Sequence, residues 1–427
     1  MFKTENDVIN WIYSFSTNRD ERNLDHLHEF LASNRNPHLK IQTIHIAGTN
    51  GKGSTVSYIR QALMESGYKV GTFTSPFVTC FGERISIDGN PLREDNLIFH
   101  AEHLKQLLPE DTSEFTSFDI LTLISFLHFD LCGVDVAIYE TGIGGRLDAT
   151  NVINPLATAI TNVGHDHAEI LGDTQLERAR EKLGIVKAGI PLFTTEEDCE
   201  LLMEFEKVCL EKGAKLHLAL EEAQLLVNNE TGVTFNWGRY ENIQIGMYGE
   251  HQFKNAVLAV SILEHLRLMG GVVDPENVDP TAITNTRWQG RFEHIRTQKQ
   301  PIILDGAHNI EGIQALIDTV KAVYPERDPV YMFSAIDTKD AKQMVQMLEE
   351  SCRNVTITKG THPKSIDPEL LSTHLQYNSW FVEDYKEAIE DELAILKSNE
   401  VLIICGSLYF ISDMRRFLLE EDGRFLL

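Results

Sequence analysis

A chain of 427 residues, 42% hydrophobic and 24% charged, has the composition of a soluble globular protein and is too long for one ordinary core. Its net charge, 38 − 64 = −26, is spread along the chain, which excludes nucleic acid and anionic membranes as partners and obliges any anion site to supply its own cations and N–H groups. Six scattered cysteines (Cys80, Cys132, Cys199, Cys209, Cys352, Cys405) with no Cys-x-x-Cys pair read as reduced thiols of a cytoplasmic protein.

In chain order, two short helices are expected over 8–13 and 24–31. The first 16 residues lack the basic start and apolar run of a signal peptide. Residues 41–47 are apolar and β-branched, as suits a buried parallel strand. Gly48, Gly51 and Gly53 then make a tight turn, and Val56, Ile59, Leu63 and Met64 recur at helical spacing. Strand, glycine turn and helix start bring backbone N–H groups and a helix dipole to one point, an arrangement that receives phosphate. Lys52 would add a point charge, and Ser54 or Thr55 an oxygen for magnesium. The common P-loop spacing is not met, because Ile46 replaces its first glycine and Gly53 separates Lys52 from Ser54. A plain glycine-rich turn therefore stays open as the alternative.

A strand over 69–72 leads into 74–85, a long loop with proline and glycine but no clean period. Helices follow over 94–108 and 118–131, the second too short and too interrupted by Asp119, His128 and Asp130 to span a bilayer. Strands are expected over 134–139 and 156–160, and a helix over 175–186. Residues 190–246 are less regular, with one alternating strand over 225–237; a helix returns over 251–266. From 302 onward strand and helix alternate: 302–304, 313–323, 330–333, 341–348, 355–357, 385–396, 401–404 and 408–418. This is a second doubly wound α/β domain.

Several strand ends carry chemistry. Val136-Ala-Ile-Tyr-Glu-Thr-Gly-Ile-Gly-Gly-Arg-Leu-Asp-Ala-Thr-Asn151 places Glu140 where a nucleotide enzyme holds magnesium, or else as a turn carboxylate paired with Arg146. Ala159-Ile-Thr-Asn-Val-Gly-His-Asp-His167 clusters His165, Asp166 and His167 in a spacing that does not suit zinc. Lys182, in Glu-Lys-Leu-Gly-Ile-Val-Lys187, reads on residues alone as a solvated helix lysine. Gly249-Glu-His-Gln-Phe-Lys-Asn255, Arg287-Trp-Gln-Gly-Arg291 and Asp305-Gly-Ala-His-Asn309 each read alone as capping, linker or turn segments.

Taken together and in order, the set is specific. Gly48-Thr-Asn-Gly-Lys-Gly-Ser54 resembles the nucleotide loop of folylpolyglutamate synthases, members of the Mur ligase superfamily, and the resemblance runs to Ser407. It implies an α/β fold: an N-terminal P-loop ATPase-like Mur ligase central domain over 1–296 and a smaller C-terminal Rossmann-like domain over 297–427. It implies ATP at Thr49, Asn50, Gly51, Lys52, Gly53, Ser54 and Thr55, with Asn255 facing adenine, Arg291 reaching the phosphates, and Asp305 and Ser407 contributing. One magnesium would sit at Ser54 and Glu140, and a second at His167 and a carbamylated Lys182. Lys52, Lys182, Asp305 and His308 would serve catalysis, and Ser75, Pro76, Phe77 and Arg84 the folate. Gln289 stands where the family commonly has proline.

The implied reaction is ATP-driven addition of L-glutamate to the γ-carboxylate of a reduced folate through an acyl phosphate. Dihydropteroate is a further acceptor in some members. The partners are small molecules, with no nucleic acid, no membrane and a monomeric chain expected. Cell-wall Mur ligases carry an extra domain ahead of the loop, for which the 48 − 1 = 47 residues preceding Gly48 are too few. A P-loop switch without ligase activity would not need chemistry-bearing strand ends in two domains.

Overall fold

The computed structural model describes residues 1–16, 23–165, 168–269, 278–295, 300–336, 340–352, 354–372 and 380–421. By contacts the chain forms two units. Unit 1 comprises Met1–Gln224, Trp237–Tyr240 and Lys254–Asn285; unit 2 comprises Leu225–Asn236, Glu241–Phe253 and Thr286–Leu427.

Unit 1 begins with α1 (Glu5–Tyr13) and α2 (Asp25–Ser33), then β1 (Gln42–Ala47), α3 (Lys52–Glu65), β2 (Val70–Phe73), β3 (Ile85–Ile87) and β4 (Asn90–Pro91). It continues through α4 (Glu94–Leu107), α5 (Ser117–Cys132), β5 (Val136–Glu140), β6 (Ala157–Ile160), α6 (Ala168–Leu171), α7 (Gln175–Leu183), β7 (Leu192–Thr194), α8 (Cys199–Lys212) and β8 (Leu216–Leu218). The eight strands form one sheet in the order β4-β3-β2-β5-β1-β6-β7-β8. β1 is central and parallel to β5 and β6, with Ile46 opposite Glu140 and Ala47 opposite Ile160. Buried on both faces, these strands are near-continuous apolar runs, as a covered parallel sheet requires. α5, capped by a Thr116–Asp119 capping box and ended by Gly133 in the left-handed region, packs Phe126 and Phe129 around Tyr139 of β5.

β9 (Ala223–Asn229), β10 (Gly232–Trp237) and β11 (Tyr240–Ile245) make a three-stranded sheet, and α9 spans Glu250–Met269. In unit 2, β12 (Glu293–Ile295) and β13 (Ile302–Leu304) are antiparallel neighbours. α10 (Ile310–Val323), β14 (Asp328–Phe333), α11 (Ala341–Ser351), β15 (Asn354–Lys359), α12 (Pro368–Ser372), β16 (Trp380–Asp384), α13 (Tyr385–Ile395), β17 (Glu400–Cys405) and α14 (Leu408–Arg416) follow. The six-stranded order is β12-β13-β17-β14-β15-β16, parallel from β13 onward.

Several expectations are corrected. The irregular stretch 190–246 contains the fourteen-residue α8, and its single strand over 225–237 is two strands broken at Glu230 and Thr231. The helix expected over 175–186 stops at Leu183. The 74–85 loop holds a 3-10 turn, Phe81–Arg84, and runs into β3, whose pairing with β2 closes it. β12, α12 and β16 were not anticipated. All six cysteines are free thiols. Among the described residues no helix is long and apolar enough to cross a membrane.

Candidate active site

The glycine turn after β1 opens α3 as its sequence suggests. Gly51 is the N-cap, with φ +86° and ψ −8°, and a Cβ there would collide with the Asn255 amide. The first intrahelical bond of α3 runs from Thr55 N–H to Gly51 O at 2.9 Å, and the N–H groups ahead of it precede the helix ladder, as at any helix start. The Thr55 hydroxyl also donates to Gly51 O, at 3.0 Å, so the helix backbone takes up one of the two hydroxyls considered for magnesium. Ser54 is 2% exposed in the first turn.

Lys52 lies over this turn. Its Nζ donates to Gly48 O at 3.0 Å and Thr49 O at 3.2 Å, and stands 3.8 Å from Glu140 Oε1. The β1–β5 register sets that meeting, since Glu140 ends β5 directly beside Ile46. The other carboxylate oxygen, Oε2, accepts the Ser75 N–H at 3.3 Å, which brings the 74–85 loop to the same carboxylate. In that loop Ser75–Pro76 is cis, and the Arg84 guanidinium lies 5.4 Å from the Phe77 ring centre and 5.8 Å from that of Phe81. Arg84 is 8% exposed and its Nε has no hydrogen-bond partner among the described residues. Glu83, accepting from Val78 N–H and Thr79 N–H, ties the loop on itself.

Arg146 is not the partner of Glu140. Its guanidinium pairs with Glu181 at 2.8 Å, and the glycine loop after β5 is organised by Asp148, which accepts from Gly142, Ile143 and Thr150 N–H groups. Thr150 Oγ1 in turn meets His45 Nε2 at 2.7 Å; burial holds this histidine down to about 3. Gly145 is pressed on the Glu181 and Lys182 carbonyls, so this loop rests on the C-terminal end of α7. Lys182 itself is 3% exposed there, which corrects its reading as a solvated lysine. His167 and Asp166 lie outside the described residues. Among the described residues no group of three or more His, Cys, Asp and Glu is arranged to hold a metal. The oxygens of Glu140 and Ser54 nevertheless suit magnesium, which takes one or two protein oxygens and fills its shell from phosphate and water.

Residues with no earlier assignment hold the turn. Asn162, just past β6, accepts Asn50 N–H on Oδ1 at 3.0 Å and donates from Nδ2 to Asn50 O at 3.1 Å. Thr161 Oγ1 donates to the same carbonyl at 2.6 Å, Thr49 N–H donates to Asn162 O at 3.1 Å, and Gly164 N–H donates to Thr49 Oγ1 at 2.9 Å. Arg178 of α7, 3% exposed, donates to the Gly164, Gly172 and Asp173 carbonyls and to His165 Nδ1. A strand-end Asn and a helix Arg were the only signals in the sequence.

In unit 2, Asp305 ends β13. Its carboxylate accepts Phe292 N–H at 2.8 Å and Ala307 N–H at 2.9 Å, and burial raises its pKa against the opposing pull of Arg291 and those two donors. A Cβ on Gly306 would meet the Arg291 guanidinium, so Arg291 and Asp305 share this corner. His251 joins it: burial, then the Arg291 charge, lowers it to about 4, and its Nδ1 is buried with no partner among the described residues. His308 Nδ1 lies 2.7 Å from Gly306 O, which requires the proton on that nitrogen. Asn309 caps α10 through Gly312 N–H, and Ser407 caps α14 through Tyr409 N–H.

A glycine-turn helix start beside a buried carboxylate, followed in sequence by a second parallel α/β unit, is the layout of a Mur-type ligase. Two family models agree: the Mur ligase middle domain matches residues 46–263 and the Mur ligase glutamate ligase domain matches 290–408. The dihydrofolate synthase/folylpolyglutamate synthase of Bacillus subtilis is 36% identical over 429 residues, covering 97% of this chain and 99% of that one. The crystal structure of folylpolyglutamate synthase from Thermotoga maritima superposes with a TM-score of 0.82 at 28% identity, over 98% of this chain and 96% of that one. E. coli FolC, solved in complex with DHPP and ADP, superposes at 0.86 and 25% identity over 99% and 98%. The chain belongs to the folylpolyglutamate synthase/dihydrofolate synthase family of Mur ligases, enzymes that join glutamate to folates at the expense of ATP.

Proposed function

We propose that this chain extends a reduced folate at its γ-carboxylate with L-glutamate, and that it also joins dihydropteroate to glutamate. The observation that carries the reading is the Lys52 ammonium over the glycine turn that opens α3, 3.8 Å from the Glu140 carboxylate. The dual name of the B. subtilis relative and the DHPP and ADP of the E. coli complex favour the second acceptor.

In the first step a carboxylate attacks the γ-phosphate of ATP, and an acyl phosphate forms as ADP departs. Two anions must approach, so fixed positive groups are needed where charge gathers. The N–H groups at the start of α3 and Lys52 meet the phosphates, and Arg291 serves as a further phosphate-binding cation. Asn255, whose amide lies against Gly51, borders the nucleotide in this reading. In the second step the glutamate amine displaces phosphate, with Asp305 and His308 orienting the reacting groups. Magnesium, held by Ser54 and Glu140 and at a second position by His167 and a carbamylated Lys182, would supply neutralisation of phosphate charge. Ser75, Pro76, Phe77 and Arg84 take the folate; Arg84, a buried cation whose Nε has no partner among the described residues, suits an anionic group there. The ligase modules are 1–296 and 297–427, and the enzyme works as a monomer in the cytoplasm.

Glutamate-dependent ADP release is the test, with tetrahydrofolate and dihydropteroate supplied in parallel. Release with both is expected. No release with either overturns the ligase reading, and release with tetrahydrofolate alone removes the second acceptor.

A further inference from the structure

The nucleotide turn does not hold itself. Asn50, at its centre, has its N–H and its carbonyl both taken by one side-chain amide, that of Asn162. The Thr161 hydroxyl reinforces the same carbonyl, and Gly48 passes so close to that hydroxyl that a Cβ at 48 would collide with it. The backbone of residues 49 and 50 is thereby fixed from the segment just past β6, ahead of the first turn of α3. A side-chain amide is suited to this because it presents one acceptor and one donor in a plane, matching the N–H and C=O of a single residue.

We infer that Asn162, backed by Thr161, is a positioning residue for the ATP triphosphate: it sets the turn whose N–H groups and Lys52 receive the anion, without touching the anion itself. The inference rests on reading residues 48–55 as the nucleotide loop. Preorganised donors bind an anion without first ordering the loop, so releasing Asn50 weakens ATP binding and leaves the folate and glutamate sites as they are.

The experiment compares Asn162→Ala, Asn162→Asp and Thr161→Val with Lys52→Met, by direct titration with ATP and by steady-state kinetics. Asn162→Ala should raise the ATP dissociation constant and KM roughly ten- to thirtyfold, the factor supplied by two neutral hydrogen bonds. The folate and glutamate KM values should stay within about twofold. Asn162→Asp keeps the acceptor for Asn50 N–H but sets a carboxylate oxygen against the Asn50 carbonyl and a negative charge beside the anion site, and should lose at least as much ATP affinity as Asn162→Ala; Thr161→Val, nearly isosteric, should give a smaller loss. If Asn162→Ala fails to fold, Asn162→Asp and Thr161→Val carry the test. Unchanged ATP affinity in the Asn162 and Thr161 variants alongside a lost one in Lys52→Met overturns the role of Asn162 alone. ATP affinity unchanged in Lys52→Met as well overturns the nucleotide-loop reading beneath it. An equal rise in all three KM values assigns Asn162 to general stability and overturns the inference.

Discussion

At Gly51 the chain turns through the left-handed region directly against the Asn255 amide. Alanine there meets two penalties: about 1–2 kcal/mol for the backbone conformation, and displacement of Asn255. Gly51→Ala should therefore lower the urea midpoint and also raise the ATP KM, whereas strain without contact would move the midpoint alone. Lys182 is the sharper case. It is buried at the end of α7, and if its amine forms a carbamate that helps bind metal, Lys182→Ala should lower kcat by about 10²-fold or more. The circular dichroism spectrum should be unchanged; near-normal turnover would remove the carbamate from the mechanism.

Among elements, α7 does more than carry Lys182. Its capping box, Thr174 with Glu177, fixes where it starts, and Arg178 one residue later spreads its donors over three carbonyls and His165. Removing a buried cation that satisfies so many acceptors is costly, so Arg178→Met should destabilise unit 1 by about 3 kcal/mol or more in urea unfolding. A change under about 0.5 kcal/mol would mean that water replaces it. The start of α7 was legible from its residues, as were β1, α3 and β5, because glycine turns and β-branched runs are local signals. α8 was not: its buried face is only Leu201, Phe205 and Cys209, and the exposed Met203 and Leu210 blur the period. β12 was hidden for another reason, since three residues Glu293–Ile295 pair only with a strand that follows them. In the site, Lys52 and Glu140 could be read because each ends a recognisable element. Asn162 and Arg178 could not, because their value lies in which distant backbone groups they reach.

Over the whole molecule, acid sensitivity follows from buried histidines in both units. His45 and His251 protonate near pH 6.5 when unfolded but only near about 3 and about 4 when folded. Unfolding thus takes up protons in that interval, and stability that is complete above about pH 6.5 falls as the pH drops, by up to about 1.4 kcal/mol per unit for each. Asp305 acts with the opposite sign, its raised folded value holding a proton longer on the native side, so its contribution is greatest in acid and fades as pH rises through that value. Urea unfolding at pH 7, 6 and 5 should show the decline, and His45→Gln should flatten it by close to one proton. An unaltered slope in that variant would place the titrating groups elsewhere.

The central position of β1 has a last consequence. Glu140 and the 161–164 segment leave the two strands that flank it, so their separation is graduated by hydrogen bonding across the sheet, about 4.8 Å per strand, rather than by any side chain. That ruler cannot be stretched by point substitution. Under the proposed assignment of Ser75, Pro76, Phe77 and Arg84 to the folate, differences in acceptor preference are expected in the segment that leaves β2 and returns through β3, where length and residue type can vary while the strand spacing stays constant.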